Sequence, residues 1–345
     1  MKIKAGIIGA TGYAGAELVR LLMTHPEAEI SAISSVSFEG KPISEIYPAY
    51  YSLNDMICEN ADDVVAKSDV IFAALPHGLS QELAKTCHEK DKIFIDLGAD
   101  FRLENEDDYK EWYGGEYTDK ELHKNSVYAL PEFFRKNIVG KKTIANPGCY
   151  TTGVPLAIGP AVAKGLVETK GIIADCKSGA TGAGRGLSQN THFTELNESF
   201  HPYKVACHRH TPEIEQTLSH LAGKPVKITF VPHLLPVNRG ILSTVYAPLK
   251  EGVTKEQIRA AYHEFYDSEY FVRLLPDGQI ADIHNIKYSN FGGVSLHIDK
   301  RTNTLVAVST IDNMVKGAAG QAIQNMNIVF GLDEKTGLEI IPPAF

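Results

Sequence analysis

Two domains of mixed α/β architecture are predicted by three features of this sequence. They are its length, the alternation of short apolar runs with helical patterns before Cys149, and the strand-rich texture after it. A chain of 345 residues can bury two hydrophobic cores. Residues 1–148 read as the first domain, with residues 314–345 returning to it as a closing helix, and residues 149–313 read as the second.

In the first domain, "KAGIIG" and "AEISAIS" flank "AGAELVRLLMTH", where Leu18, Leu21 and Leu22 recur at helical spacing. "DVIFAAL" then leads into the helical "LSQELAKTCHEK", and "KIFIDLGA" follows. Continuous apolar runs separated by helices predict strands buried on both faces, hence a parallel sheet. Beyond Cys149 the runs "GIIADCKSGA", "VKITFVPHLL", "GILSTVYAPLK", "YFVRLL", "GVSLHID" and "TLVAVSTID" read as strands, with one helix at "TPEIEQTLSHLAG". That pattern predicts an α+β domain with a mostly antiparallel sheet, suited to catalysis and self-association. The last helical segment, "NMVKGAAGQAIQNMNIVFGL", puts Val315, Ala318, Ala319, Ala322 and Met326 on one side.

Bulk properties exclude several function classes. A net charge of −8 argues against a general nucleic-acid-binding surface. No apolar run approaches membrane-spanning length, and "MKIKAGIIGA" enters a strand with no leader pattern. The five cysteines are scattered, without a C-x-x-C pair, which reads as reduced cytoplasmic usage without metal or disulfide frameworks. Four of them, Cys58, Cys87, Cys176 and Cys207, are expected to be buried packing thiols.

"GIIGATGYAG" places Gly9, Gly12 and Gly15 between a strand and a helix. Glycine permits the tight turn and close backbone approach, and the helix start through Tyr13 and Ala14, with Thr11 before it, offers N–H groups to a pyrophosphate. A Rossmann-type cofactor domain is therefore expected. The second strand ends in Ser34 and Ser35, where an NAD enzyme usually carries a carboxylate. Without that carboxylate a 2′-phosphate is not repelled, so NADP(H) is the expected cofactor.

"TIANPGCYTTGVPLAIGP" sets Cys149 after a short apolar run. A helix beginning there would stabilise a thiolate and offer N–H groups to an oxyanion, although Pro155 and Gly159 should bend or weaken it. In "HRHTPEIEQ", Thr211, Pro212 and Glu213 form a helix start with Thr211 as N-cap. His210 then lies just outside a helix N-terminus, which disfavours the imidazolium and leaves a neutral ring able to accept a proton. If His208, Arg209 and His210 are extended, the two histidines point one way and the arginine the other.

Nine blocks, among them "GIIGATGYAGAELVRLL", "ALPHGLS", "DLGADFRL", "ANPGCY", "SGATGAGR", "HRHTPEIEQ" and "DNMVKGAAGQAIQNMN", span nearly the whole chain in one order. In them the sequence resembles the N-acetyl-gamma-glutamyl-phosphate reductase family of the aspartate-semialdehyde dehydrogenase superfamily. It departs from the family pattern at Thr151, commonly Pro or Ala there, at Gly98, commonly Ser, and at Ala129, commonly Gly.

The resemblance implies NADPH-dependent reduction of N-acetyl-L-glutamyl 5-phosphate to the 5-semialdehyde in arginine biosynthesis. Cys149 would be the nucleophile and His210 its acid/base partner, with His208 the rival. Arg102, His208 and Arg209 would face the acyl-phosphate substrate, and Asn313 the nicotinamide end. Arg102 could instead pair with Glu104 or Asp107 at the surface. A homo-oligomer, dimer or tetramer, is expected. The alternatives are reduction of aspartyl phosphate or of a carrier-bound aminoadipyl phosphate, and a cofactor-sensing protein without catalysis.

Overall fold

A computed structural model describes residues 1–345 and divides them into two compact units, residues 1–147 with 318–339 and residues 148–317 with 340–345. The division departs from the expected one at the end of the chain. Residues 314–317 cluster with the second unit, where Gly317 N–H bonds Asp312 O, and so do the last six residues, where His284 bonds Ala344 O.

The first unit carries a seven-stranded sheet: β1 (Ile3–Ile8), β2 (Ala28–Ser34), β3 (Cys58–Glu59), β4 (Val70–Ala73), β5 (Ile93–Asp96), β6 (Val127–Tyr128) and β7 (Thr143–Ala145). Its order is β3-β2-β1-β4-β5-β7-β6 and every pairing is parallel. Ile7, Ile33, Ile71, Phe72 and Ile95 have no exposed surface, as strands covered on both faces require. The order reverses between β1 and β4, which opens a crevice at the strands' carboxyl ends, where α/β sheets take ligands.

The second unit holds β8 (Ile172–Gly179), β9 (His201–Pro202), β10 (Ile228–Leu235), β11 (Ile241–Pro248), β12 (Val272–Leu274), β13 (Gly292–Asp299) and β14 (Thr304–Ile311). Its order is β12-β13-β14-β11-β8-β10-β9; β8–β10 and β12–β13 are parallel and the rest antiparallel. Along β8 the residues alternate, with Ile172, Ala174, Cys176 and Ser178 buried and Ile173 exposed. One face is thus packed and the other is open.

Two helices in this unit depart from the sequence expectation. Lys255–Tyr266 forms a helix started by a capping box between Thr254 and Gln257. Cys149–Ala163 is a single helix despite Pro155 and Pro160. Pro160 lacks the N–H that would reach Leu156 O, and the Tyr266 hydroxyl donates to that carbonyl at 2.7 Å instead. This helix is apolar on every side, and burying side chains such as Val154, Leu156 and Ile158 contributes roughly 1.5–3 kcal/mol each. It is the core of its unit, and Cys149 is its first residue.

Candidate active site

In the first unit the turn after β1 has the shape of a dinucleotide cradle. Gly9 has φ +84°, and a Cβ there would meet Ala74 O at 2.4 Å. A Cβ on Gly15 would meet Gly9 O at 2.1 Å, so neither position admits a side chain. The Tyr13–Leu22 helix starts from Gly12 with no side-chain cap, which leaves its first N–H groups directed at whatever occupies the crevice. The residues present therefore fit a pyrophosphate. Tyr13 is exposed and Ala14 half-buried beside it.

Thr11 and Ser35 join hydroxyl to hydroxyl at 2.6 Å, while Gly9 and Ala10 N–H both donate to Ser34 O. Ser34 and Ser35 are buried, and the exposed donors beyond β2 are Ser37 and Lys41. Tyr47 adds a clasp that the sequence did not announce, its hydroxyl donating to Thr11 O at 2.9 Å.

Arg102 is buried rather than a surface residue, and its Nη2 donates to Leu97 O at 2.7 Å, just past the end of β5. It lines a cavity of about 430 Å³ whose other charged side chains are Glu104, Glu106, Lys120 and Lys124, with Lys120 paired to Glu106. Beside it, Asp96 and Asp100 hold the loop that follows β4. Ser80 Oγ donates to Asp96, and Gly78 and Ser80 N–H donate to Asp100. Burial, and then the Asp100 charge, push the Asp96 carboxyl up to about 6.

In the second unit, Cys149 is half-buried at the start of its helix, with Gly148 as an N-cap that supplies no side chain. Helix-start N–H groups are the setting that favours a thiolate. Three other thiols lie elsewhere in the range of environments. Cys58, Cys87 and Cys176 are buried, and burial pushes Cys87 and Cys176 up to about 12. Cys207 corrects the expectation of burial: it is exposed, in a turn where Lys204 and Ala206 adopt positive φ. Left-handed non-glycine residues cost roughly 1–2 kcal/mol each and recur near functional sites.

Close packing fixes Cys149 from behind. A Cβ on Gly317 would stand 2.8 Å from Cys149 Cβ and 3.2 Å from its Cα. Gly317 sits in a π-turn, Val315–Ala319, where the sequence suggested plain helix, and the Gly320–Val329 helix follows. Asp312 anchors that turn by accepting from Met314 and Val315 N–H. Any side chain at position 317 would press on Cys149 itself, at its Cβ and Cα.

Tyr150, next to Cys149, places its ring 5.7 Å from His208 and 5.9 Å from His210, and its hydroxyl 3.1 Å from that of Tyr203. The histidine rings are 4.9 Å apart. The histidine segment is a turn rather than extended: His210 has helical φ and ψ and is itself the N-cap, and Thr211 donates both N–H and hydroxyl to His208 O.

The two histidines are not equivalent. His210 N–H donates to His208 Nδ1 at 3.1 Å, which fixes His208 as an acceptor at that nitrogen. Burial first, then His210, lower the His208 pKa to about 2, so its ring stays neutral. Arg209 is half-buried between them in sequence, and its charge also acts against protonation of His208.

Asn313 is buried, and its amide is engaged on both ends. Its Oδ1 accepts from Gly240 N–H at 2.8 Å and its Nδ2 donates to Thr181 Oγ1 at 2.9 Å. It therefore ties down the glycine-rich loop around Thr181. No helix is long and apolar enough to cross a membrane.

Comparison with known proteins places the chain in a family. Residues 4–141 match the family model "Semialdehyde dehydrogenase, NAD binding domain", and residues 149–313 match "Semialdehyde dehydrogenase, dimerisation domain". N-acetyl-gamma-glutamyl-phosphate reductase of Clostridium kluyveri is 53% identical over 343 residues, covering 99% of this chain and 100% of that one. The protein of the same name from Brachyspira hyodysenteriae is 55% identical, again covering 99% and 100%.

Among solved structures, aspartate semialdehyde dehydrogenase II of Vibrio cholerae, complexed with ASA, superposes with a TM-score of 0.72 at 16% identity, covering 95% of this chain and 98% of that one. The Candida albicans aspartate semialdehyde dehydrogenase with NADP gives 0.70 at 18%, covering 95% and 98%. These two share the fold. A glycine cradle, a helix-start cysteine and identity above one half along the whole length lead to one assignment: the chain belongs to the N-acetyl-gamma-glutamyl-phosphate reductase family of the semialdehyde dehydrogenases.

Proposed function

We propose that this protein reduces N-acetyl-L-glutamyl 5-phosphate to N-acetyl-L-glutamate 5-semialdehyde and phosphate, a step of arginine biosynthesis, through a thioester on Cys149. The observation that carries the reading is Cys149 at the start of a helix whose neighbouring residue packs against His208 and His210. Cys149 attacks the acyl carbon, the C–O bond to phosphate breaks, and the acyl group passes to sulfur. A bound NADPH supplies hydride when present. His210 takes the thiol proton at the outset and returns it to the oxygen of the tetrahedral species. Collapse of that species breaks the C–S bond while His210 takes the hydroxyl proton back, which releases the aldehyde and restores the thiolate. The covalent bond holds the acyl group in place throughout, which offsets entropy that a free substrate would lose.

Arg102 is proposed to serve the phosphate. A guanidinium suits two phosphate oxygens at once, and its burial removes competing water. Preference for NADPH over NADH rests on the end of β2, which carries Ser34 and Ser35 and no carboxylate, with Ser37 and Lys41 exposed beyond it. Asn313 supports the cofactor's nicotinamide end through the loop it anchors at Thr181. Five free cysteines suit the reducing cytoplasm.

Side-by-side assays with N-acetylglutamyl phosphate, aspartyl phosphate and carrier-bound aminoadipyl phosphate test the substrate. The first should exceed the others in kcat/KM by about a hundredfold or more. Equal or greater turnover of either rival would replace this reading.

The matched dimerisation domain supports a homo-oligomer built on the open face of the second sheet. Ile173 and Tyr246 are exposed there, beside the ion pair of Asp175 with Lys177. Light scattering of the intact chain should return a dimer or tetramer mass, and a monomer at assay concentration would overturn this.

A further inference from the structure

Glu213 has no exposed surface, yet it carries a carboxylate in the first turn of the Thr211–Ala222 helix. Taking such a group out of water costs several kcal/mol unless hydrogen bonds replace the lost hydration. Its Oε1 accepts from Gly148 N–H at 3.0 Å and from the Thr151 hydroxyl at 2.5 Å. Gly148 caps the nucleophile's helix and Thr151 is its third residue, so the two bonds grip that helix on either side of Cys149. Glu213 shares its helical turn with His210, the N-cap, and Pro212 stiffens the backbone between them. One rigid turn thus presents both the imidazole and the carboxylate.

We propose that Glu213 is a positioning residue, which holds the start of the Cys149 helix in register with His210. It deepens the reductase reading and rests on it for the pairing of thiol and imidazole. The two helices pack together and Ile214 and Leu218 beside Glu213 are fully buried, so an apolar side chain at 213 would join that packing at lower cost. A carboxylate does what an apolar group cannot: it fixes the orientation of the peptide joining Gly148 to the preceding residue. With the Gly148 N–H engaged, oxyanion donors from this turn begin at Cys149 N–H.

The test compares Glu213→Ala, Glu213→Gln and Glu213→Asp in the full-length protein. One readout needs no substrate: iodoacetamide alkylation of Cys149, followed by peptide mass at about pH 7. The alanine variant should alkylate about tenfold more slowly and lose about a hundredfold in kcat, with KM within about threefold. Glutamine keeps the Oε1 acceptor and should recover kcat to within about tenfold of the parent. If alanine prevents folding, aspartate carries the test, because it draws the same acceptor back by one methylene and should slow both reactions.

Parent-level alkylation and kcat in a folded alanine or aspartate variant would overturn the proposal. So would a lowered melting temperature with unchanged alkylation, or a glutamine variant as impaired as alanine. A parent protein inert toward all three acyl phosphates would sink the reductase reading and leave the alkylation comparison standing.

Discussion

Cys149→Ser is expected to bind NADPH within about twofold of the parent while kcat falls by about ten-thousandfold or more. The substitution is nearly isosteric, so the helix start, the Gly317 contact and the Glu213 bonds should persist. What changes is acidity. A helix N-terminus lowers a thiol's ionisation into a useful range, but a serine hydroxyl lies too far above it to be ionised by the same field. No other thiol can stand in, since burial raises Cys58 and holds Cys87 and Cys176 near 12, and Cys207 lies exposed in a turn outside any helix start. The measurement is single-turnover phosphate release alongside steady-state NADPH oxidation. Both should vanish together, and quenched parent enzyme should carry an acyl group on the Cys149 peptide. Phosphate release at the parent rate from the serine variant would end the covalent mechanism.

Much of the architecture was legible because it follows from local periodicity. Apolar runs around Ile7, Ile71 and Ile95 announce buried parallel strands, and the Gly9–Gly15 spacing announces the cradle. What escaped depends on partners distant in sequence. Pro155 and Pro160 argue locally against a helix from Cys149 to Ala163, but the Tyr266 hydroxyl serves Leu156 O, the carbonyl whose helical N–H partner Pro160 lacks. β3 and β6 have two residues each, too few for any period to show.

Cys149, His208 and His210 are candidates that the sequence offers, but the hydrogen bond that sets the two histidines apart has no local signature. Thr151 departs from the family's common residue, and only its bonds to Gly148 O and Glu213 show that the hydroxyl is used. Glu213 itself was visible merely as an acid in a helix's first turn. Its burial against Gly148 has no signature in sequence, because that contact joins segments far apart in the chain.

His210→Asn is expected to lower kcat by about a hundred- to ten-thousandfold, the usual range for a general acid–base residue, with KM within about threefold. The choice of His210 over His208 follows from the hydrogen bond between them. His208 Nδ1 already accepts the His210 backbone N–H, so a proton there would break a bond that shapes the turn. Burial opposes the same proton and holds the His208 pKa down to about 2. Its folded value lies below the unfolded one, so His208 binds no proton in the native state between pH 6.5 and about 2, while the unfolded chain does. This residue therefore lowers stability as pH falls through 6.5 and contributes no titration to turnover near neutrality.

The imidazole ionisation that shapes kcat against pH should then disappear in His210→Asn and survive in His208→Gln. Asparagine can donate a hydrogen bond to the substrate oxygen but cannot carry the thiol's proton, so the loss should fall on the chemical step and leave binding nearly intact. A rise in KM with kcat preserved would make His210 a recognition residue. The pH dependence vanishing in His208→Gln instead would exchange the two roles, since a ring that titrates there could not be serving as the acceptor for His210 N–H.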